Sequence, residues 1–240
     1  MHKQRLQGLD IFRGMALFLM IIYHFIFDLN YFLIVSINMN ENLFFLLLRY
    51  AIMGMFVLSV GMSLVLTHQA HINWKNIAKR IIQLGLASLL VSLATYMIFP
   101  DSWVYFGILH FILFSSLLVL PLINFPKITL FLALFILVGS STGILHLHQL
   151  FELLQEPLGL PSPHSQDLVP IFPWLAPLFM GMFLVQSNYH QKIFSHPFFK
   201  KHTPMHTLLK KMGQNSLLIY LLHQPFLFLG FEFYFKFFSK

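Results

Sequence analysis

The chain has 240 residues, 58% of them hydrophobic and only 10% charged, with a formal net charge of +7 and a mean hydropathy of +0.75. Soluble domains carry about 25% charged residues, so this composition points instead to an all-α, polytopic integral membrane helix bundle whose first partner is the lipid bilayer. The absence of Cys excludes disulfides, thiol catalysis and thiolate metal sites, and no basic stripe with interleaved aromatics marks a nucleic-acid partner.

A spanning helix needs about 20 mostly apolar residues. Seven stretches qualify, near 11–33, 43–67, 77–99, 104–122, 128–146, 170–187 and 214–236. The first is expected to be a transmembrane helix, because the apolar run after "MHKQRLQGLD" is too long for a signal-peptide core and lacks a small-x-small cleavage site. The breaks are "INMNEN", "HQAHINWKN", "FPDSW", "NFPK", a long segment from "HLHQLFELL" to "PHSQD", and the basic "NYHQKIFSHPFFKKHTPMHTLLKKMGQ". No internal repeat is evident, and connecting segments shorter than about 30 residues leave no room for a second soluble domain. Residues 1–240 are therefore expected to form a single transmembrane domain.

Lys and Arg favour cytoplasmic loops. With a cytoplasmic N-terminus, that side receives Lys3, Arg5, Lys75, Lys79, Arg80, Lys127, Lys192, Lys200, Lys201, Lys210 and Lys211. The opposite side receives Glu41, Asp101, Glu152, Glu156 and Asp167. Arg49, Lys236 and Lys240 are the exceptions. The asymmetry predicts an odd number of helices, about seven, in a multi-pass protein of the cell (inner) membrane.

Against this background the first helix is unusual. "RGMALFLMIIYHFIFD" places Arg13 near the cytoplasmic face, His24 eleven residues further on, and Asp28 one turn beyond His24 on the same helix face. A carboxylate so placed is expected to orient the imidazole and fix its tautomer. Taken singly, Arg13 also fits a snorkelling anchor and Asp28 a helix cap. The His24–Asp28 pairing favours a functional site, because ionisable groups inside the bilayer are costly.

Further polar groups gather towards the same outer half. Asp101 and Trp103 precede the fourth stretch, and His110 lies inside it. Asp167 and Trp174 flank "DLVPIFPW", and His223 sits in "GQNSLLIYLLHQP" of the last stretch. Pro225 disturbs the local hydrogen-bond ladder there. A lone intramembrane His is often only bonded to a neighbouring helix, and that reading stays open for His110. "HLH" (146–148) and "HTPMH" (202–206) lack acidic partners at ligand spacing, and HEXXH is absent, so no metal is expected. Gly54, Ser59, Gly61 and Ser63 in "GMFVLSVGMS" read as close helix packing.

"LDIFRGMALFLMIIYH" resembles the opening helix of the transmembrane acyltransferases, a superfamily that includes the heparan-α-glucosaminide N-acetyltransferases and the bacterial acyltransferase-3 proteins. Its hallmark is an Arg and a His separated by ten residues, as Arg13 and His24 are. "WVYFGILHFI", "DLVPIFPW" and "GQNSLLIYLLHQP" are similar to later blocks of the small bacterial branch related to the heparan acetyltransferase catalytic domain. Better known relatives carry more helices, so a homo-oligomer that completes the channel is among the partners considered.

The resemblance implies transfer of an acyl group, most simply acetyl, from cytoplasmic acyl-CoA to an amine or hydroxyl of a glycan or glycolipid on the other side. Arg13 with Lys75, Lys79, Arg80, Lys210 and Lys211 would then bind the anionic donor. His24 would be general base or acyl carrier, with Asp28 supporting it. Asn215, Tyr220, His223 and His110 are candidates for stabilising charge or moving protons, and Trp103, Asp167 and Trp174 for holding the acceptor. The competing class is a transporter or proton-coupled membrane protein, since buried His and Asp also make proton relays.

Overall fold

The computed structural model describes residues 6–145, 154–157, 159–160, 165 and 167–238. Its helices are α1 (Gln7–Tyr31), α2 (Leu43–His68), α3 (Trp74–Ile98), α4 (Ile108–Leu118), α5 (Pro126–Ser141), α6 (Ile171–Gln186), α7 (Tyr189–Phe194), α8 (Pro197–Lys200), α9 (Pro204–Gln214) and α10 (Ser216–Phe238). Four of them, α1, α2, α3 and α10, are long and apolar enough to cross a membrane, and α4, α5 and α6 are shorter apolar helices. At about 1.5 Å per residue, α4 rises only roughly 16 Å and α5 and α6 roughly 24 Å, less than the roughly 30 Å hydrocarbon core.

Local chemistry sets several of these boundaries. Asn73 caps α3 by accepting the Asn76 N–H at 3.1 Å. Pro126 opens α5, where a missing N–H costs nothing. The Asp167 carboxylate accepts the N–H of Ile108, the first residue of α4, at 3.2 Å. That bond explains why the stretch expected over 104–122 begins its helix four residues late. Its far end tightens into a 3-10 turn at Leu120–Leu122 that contains Pro121.

One sequence expectation is corrected. The basic segment 188–213, expected to be a connecting loop, folds into α7, α8 and α9. The last stretch, expected near 214–236, forms the long helix Ser216–Phe238, as expected, after a break at Asn215. Of the residues singled out above, Lys3, Arg5, Glu152, Lys240 and the 146–148 "HLH" lie outside the described residues.

The chain divides into two compact units, Met1–Ser59 with Gln191–Lys240, and Val60–His190. In the first unit, α9 lies antiparallel along the start of α1. A Cβ at Gly14 would run into the Leu209 carbonyl, and one at Gly213 into the Asp10 carbonyl. The two helices therefore approach at backbone contact, which only glycine permits at these positions. The chain reverses at Asn215, and α10 returns along α1. Asp28 bonds Gln224, while Phe32 packs on Phe228, Phe231 and Phe235. Rising numbers pair with rising numbers, so α1 and α10 are parallel. In a membrane, parallel first and last long helices require an odd number of crossings.

In the second unit, the backbone of α2 meets α6 at Gly61, where a Cβ would strike the Leu178 carbonyl. Gln186 ends α6 by donating to the Leu122 and Ile123 carbonyls at 2.8 Å each and accepting the Thr129 hydroxyl at 2.6 Å. This clasp adds side-chain donors at the join of α4 and α5, where the Leu122 carbonyl also takes the Phe125 N–H at 3.1 Å.

Candidate active site

The first unit gathers α1 and α10 around two imidazoles. The His24 and His223 rings meet edge to face, with centroids 4.8 Å apart. Each is held by its own helix. His24 Nδ1 lies 2.9 Å from the Met20 carbonyl, one turn back. His223 Nδ1 lies 2.6 Å from the Tyr220 carbonyl. A carbonyl only accepts, so both Nδ1 atoms carry the proton, and in the neutral rings both Nε2 atoms carry the lone pair. His223 Nε2 is buried and has no hydrogen-bond partner among the described residues.

Asp28 is fully buried, but it does not orient His24 as the sequence spacing leads one to expect. Its Oδ1 accepts from Gln224 Nε2 at 2.7 Å, its Oδ2 has no hydrogen-bond partner among the described residues, and the His24 ring is set by Met20. The i, i+4 spacing fixed proximity but not the bond, because the helix backbone offers a nearer acceptor to Nδ1. Gln224 is the residue that sequence reasoning missed. Its only signal was its place directly after His223 and before Pro225, in "HQP".

About three turns before His24, Arg13 joins three elements. Its Nη1 lies 3.8 Å from Asp10 Oδ1 and 3.4 Å from the Gly213 carbonyl, and its Nε lies 3.4 Å from Ser59 Oγ. Gln214 Nε2 reaches the buried Asp10 carboxylate at 3.4 Å. A cation against the last carbonyls of α9 complements the negative end of that helix. Lys211 lies in the last turn of α9, exposed, and Lys210 just before it, half-exposed. The Asn215 side chain donates to the Lys211 carbonyl at 2.9 Å, so the structure uses it at the chain reversal. Tyr220 contributes its carbonyl to His223 and packs its ring 5.7 Å away.

The second unit holds the other expected residues. His110 accepts the Gly107 N–H on Nδ1 at 3.2 Å, so the proton sits on Nε2, which donates to Ser92 Oγ at 3.1 Å. Ser92 passes its own proton to the Val104 carbonyl at 2.7 Å. Both ring nitrogens are occupied in binding the 99–107 segment to α3 and α4. Trp103 accepts the Ser165 hydroxyl through its carbonyl at 2.9 Å and packs against Tyr96 and Tyr105. Val169 N–H donates to the Phe106 carbonyl at 3.0 Å, so the Asp167 segment is stitched to the same loop. Trp174 stands half-exposed in the first turn of α6. Lys75, Lys79 and Arg80 occupy the first two turns of α3, the two lysines exposed and Arg80 half-buried. Among the described residues, no three His, Cys, Asp or Glu side chains converge as metal ligands.

Long apolar helices of a multi-pass membrane protein thus bring two imidazoles and a buried carboxyl group together in the first unit. The family model described as heparan-alpha-glucosaminide N-acetyltransferase, catalytic, matches residues 5–225, and the chain belongs to that family. The family is one of membrane acetyltransferases that use acetyl-CoA. No curated protein matches the chain, and no solved structure does.

Proposed function

We propose that the protein transfers an acetyl group from acetyl-CoA, supplied on the cytoplasmic side, to an amine or hydroxyl of a glycan or glycolipid on the extracytoplasmic side of the cell membrane. One observation carries this reading: His24 and His223 are paired with Nδ1 protons tied to helix carbonyls, which presents Nε2 of each ring as a base. His24 Nε2 takes the proton of the incoming amine or hydroxyl, or itself accepts the acyl group. His223 stands beside it as the second base, and Asp28 supplies negative charge that favours a transient imidazolium.

The donor's phosphates are met at the cytoplasmic end, where Lys210 and Lys211 project from α9. Arg13 keeps that last turn in place through Gly213 and supplies further positive charge. Lys75, Lys79 and Arg80 add positive charge at the start of α3. Lys is suited to phosphate as a mobile point charge. Seven crossings with a cytoplasmic N-terminus satisfy both the charge asymmetry and the odd parity that parallel α1 and α10 demand. On this topology, a thiol introduced by Ser195→Cys is labelled by an impermeant reagent only after the cells are permeabilised.

The test is acetyl transfer by the purified full chain, with acetyl-CoA as donor and glucosamine as acceptor. Wild type should release CoA and form N-acetylglucosamine, and His24→Ala should not. Equal turnover by His24→Ala removes His24 from the chemistry, and absence of turnover in wild type leaves a transporter as the better reading.

A further inference from the structure

The chain between α6 and α10 carries more positive charge than the proposed donor site takes up. Residues 188–213 hold five lysines, Lys192, Lys200, Lys201, Lys210 and Lys211, and no Asp or Glu. Lys210 and Lys211 belong to the proposed donor site. Lys192, Lys200 and Lys201 are exposed, and the segment has no carboxylate of its own to neutralise them.

The segment is a folded platform. The His196 ring caps α8 by accepting the Phe198 N–H at 3.3 Å, and the Thr203 hydroxyl caps α9 by accepting the His206 N–H at 3.3 Å. Phe194 of α7 meets Phe199 of α8 with ring centroids 5.1 Å apart, and Phe198 meets the His206 ring at 4.9 Å. A Cβ at Gly8 would strike the Phe194 side chain, so this aromatic knot is seated on the first turn of α1. The platform directly precedes α10, which is long and apolar enough to cross a membrane, and this places it at the membrane face.

α9 buries His206, Leu209, Met212 and Gly213. Its remaining surface is not purely polar, because Met205 is 49% and Leu208 48% exposed, one turn apart. Ile193, directly after Lys192, is 40% exposed. Exposed lysines and exposed apolar side chains thus share the platform. Water suits only the lysines. The boundary between headgroups and acyl chains suits both, with ammonium groups among the phosphates and apolar side chains just below them.

We propose that α7, α8 and α9 form a docking surface for anionic phospholipid, in which Lys192, Lys200 and Lys201 hold headgroup phosphates and Ile193, Met205 and Leu208 rest against acyl chains. The charge complementarity names the occupant: lysine clusters beside a spanning helix draw anionic lipid, and here no neighbouring acid in the segment competes for them. The inference stands apart from the acetyl-transfer reading, since none of these six side chains is assigned to donor, acceptor or chemistry.

The experiment uses the purified full chain in non-ionic detergent and reads its affinity for fluorescent phosphatidylglycerol, with fluorescent phosphatidylcholine as the neutral arm. Wild type should prefer phosphatidylglycerol by about tenfold or more at low salt, and the preference should shrink as salt is raised, because exposed charges are screened. The triple variant Lys192→Gln, Lys200→Gln, Lys201→Gln should lose about tenfold or more in phosphatidylglycerol affinity, since each lysine at an anionic surface contributes about fivefold. Its phosphatidylcholine affinity should change little. The double variant Met205→Gln, Leu208→Gln should weaken both lipids and keep the preference. All five replaced side chains are exposed, so thermal unfolding should stay near that of wild type. If the triple variant fails to fold, Lys201→Gln alone decides, with about a fivefold loss expected.

Equal affinity of wild type for the two lipids overturns the proposal, as does an unchanged preference in a folded lysine variant. Inorganic phosphate and CoA are added as competitors at matched ionic strength. Displacement of phosphatidylglycerol by phosphate overturns the lipid surface in favour of a free-anion site, and displacement by CoA overturns it in favour of the donor. Retention against both supports it.

Discussion

His110 and His223 are alike in sequence, each a lone imidazole in an apolar helix, and the folded chain gives them opposite roles. His110 has both ring nitrogens engaged, one by the Gly107 N–H and one by Ser92, so the ring staples a loop to two helices. His223 has one nitrogen engaged and the other buried without a hydrogen-bond partner among the described residues. A satisfied imidazole in a helix is a structural cross-link, whereas one with a free ring nitrogen beside a second imidazole and a carboxyl group is what the proposed acetyl transfer calls on. The difference comes from what surrounds each ring. His110 follows a non-helical segment whose bare N–H and C=O groups need partners. His223 sits within a helix whose backbone groups are mostly paired already.

The largest effect that tests this contrast is expected at His24. His24→Ala should lower acetyl transfer by about 10² or more, the usual cost of losing a general base, with the melting temperature in detergent nearly unchanged. A folded His24→Ala protein with wild-type turnover breaks the comparison at its centre.

Next comes His223→Ala, expected to lower turnover by about tenfold or more, since the second base of the pair is lost. Its effect and that of His24→Ala should be non-additive in the double variant, because the rings act together. Additive losses would show two independent roles and separate the pair.

Arg13→Ala sharpens the division between holding and reacting. Removing the guanidinium leaves the buried Asp10 carboxylate and the Gly213 carbonyl short of a donor, at a cost of about 1–3 kcal/mol read from thermal unfolding. CoA affinity by calorimetry should fall several-fold, as Lys210 and Lys211 lose their backing. Loss of affinity with full stability would instead make Arg13 a direct phosphate ligand.

The smallest effect on turnover is expected at His110→Ala. This change should lower stability by about 1–3 kcal/mol, because Gly107 N–H and Ser92 lose their shared partner, while turnover per folded molecule stays near that of wild type. Turnover falling a hundredfold without loss of stability would put His110 in the chemistry and erase the contrast with His223.

The sequence by itself determined the class of protein and most of its long elements. α1, α2 and α3 fall within a few residues of the stretches read from hydropathy, because about 20 consecutive apolar residues have few other ways to be stable. It also determined His24 as a candidate, since an imidazole deep in such a stretch is costly. Tertiary structure alone decided which polar atoms meet. Asp28 is one turn from His24 in sequence, yet it bonds Gln224 from the far end of the chain, while His24 turns to the Met20 carbonyl. Spacing along a helix fixes which side chains share a face, but not which acceptor lies closest to a rotating ring. Likewise, the basic run from 188 to 213 shows its charge in the sequence but hides α9. That helix is held against α1 by backbone contact at Gly14 and Gly213, and the fit of two glycines 199 positions apart exists only once the chain has folded.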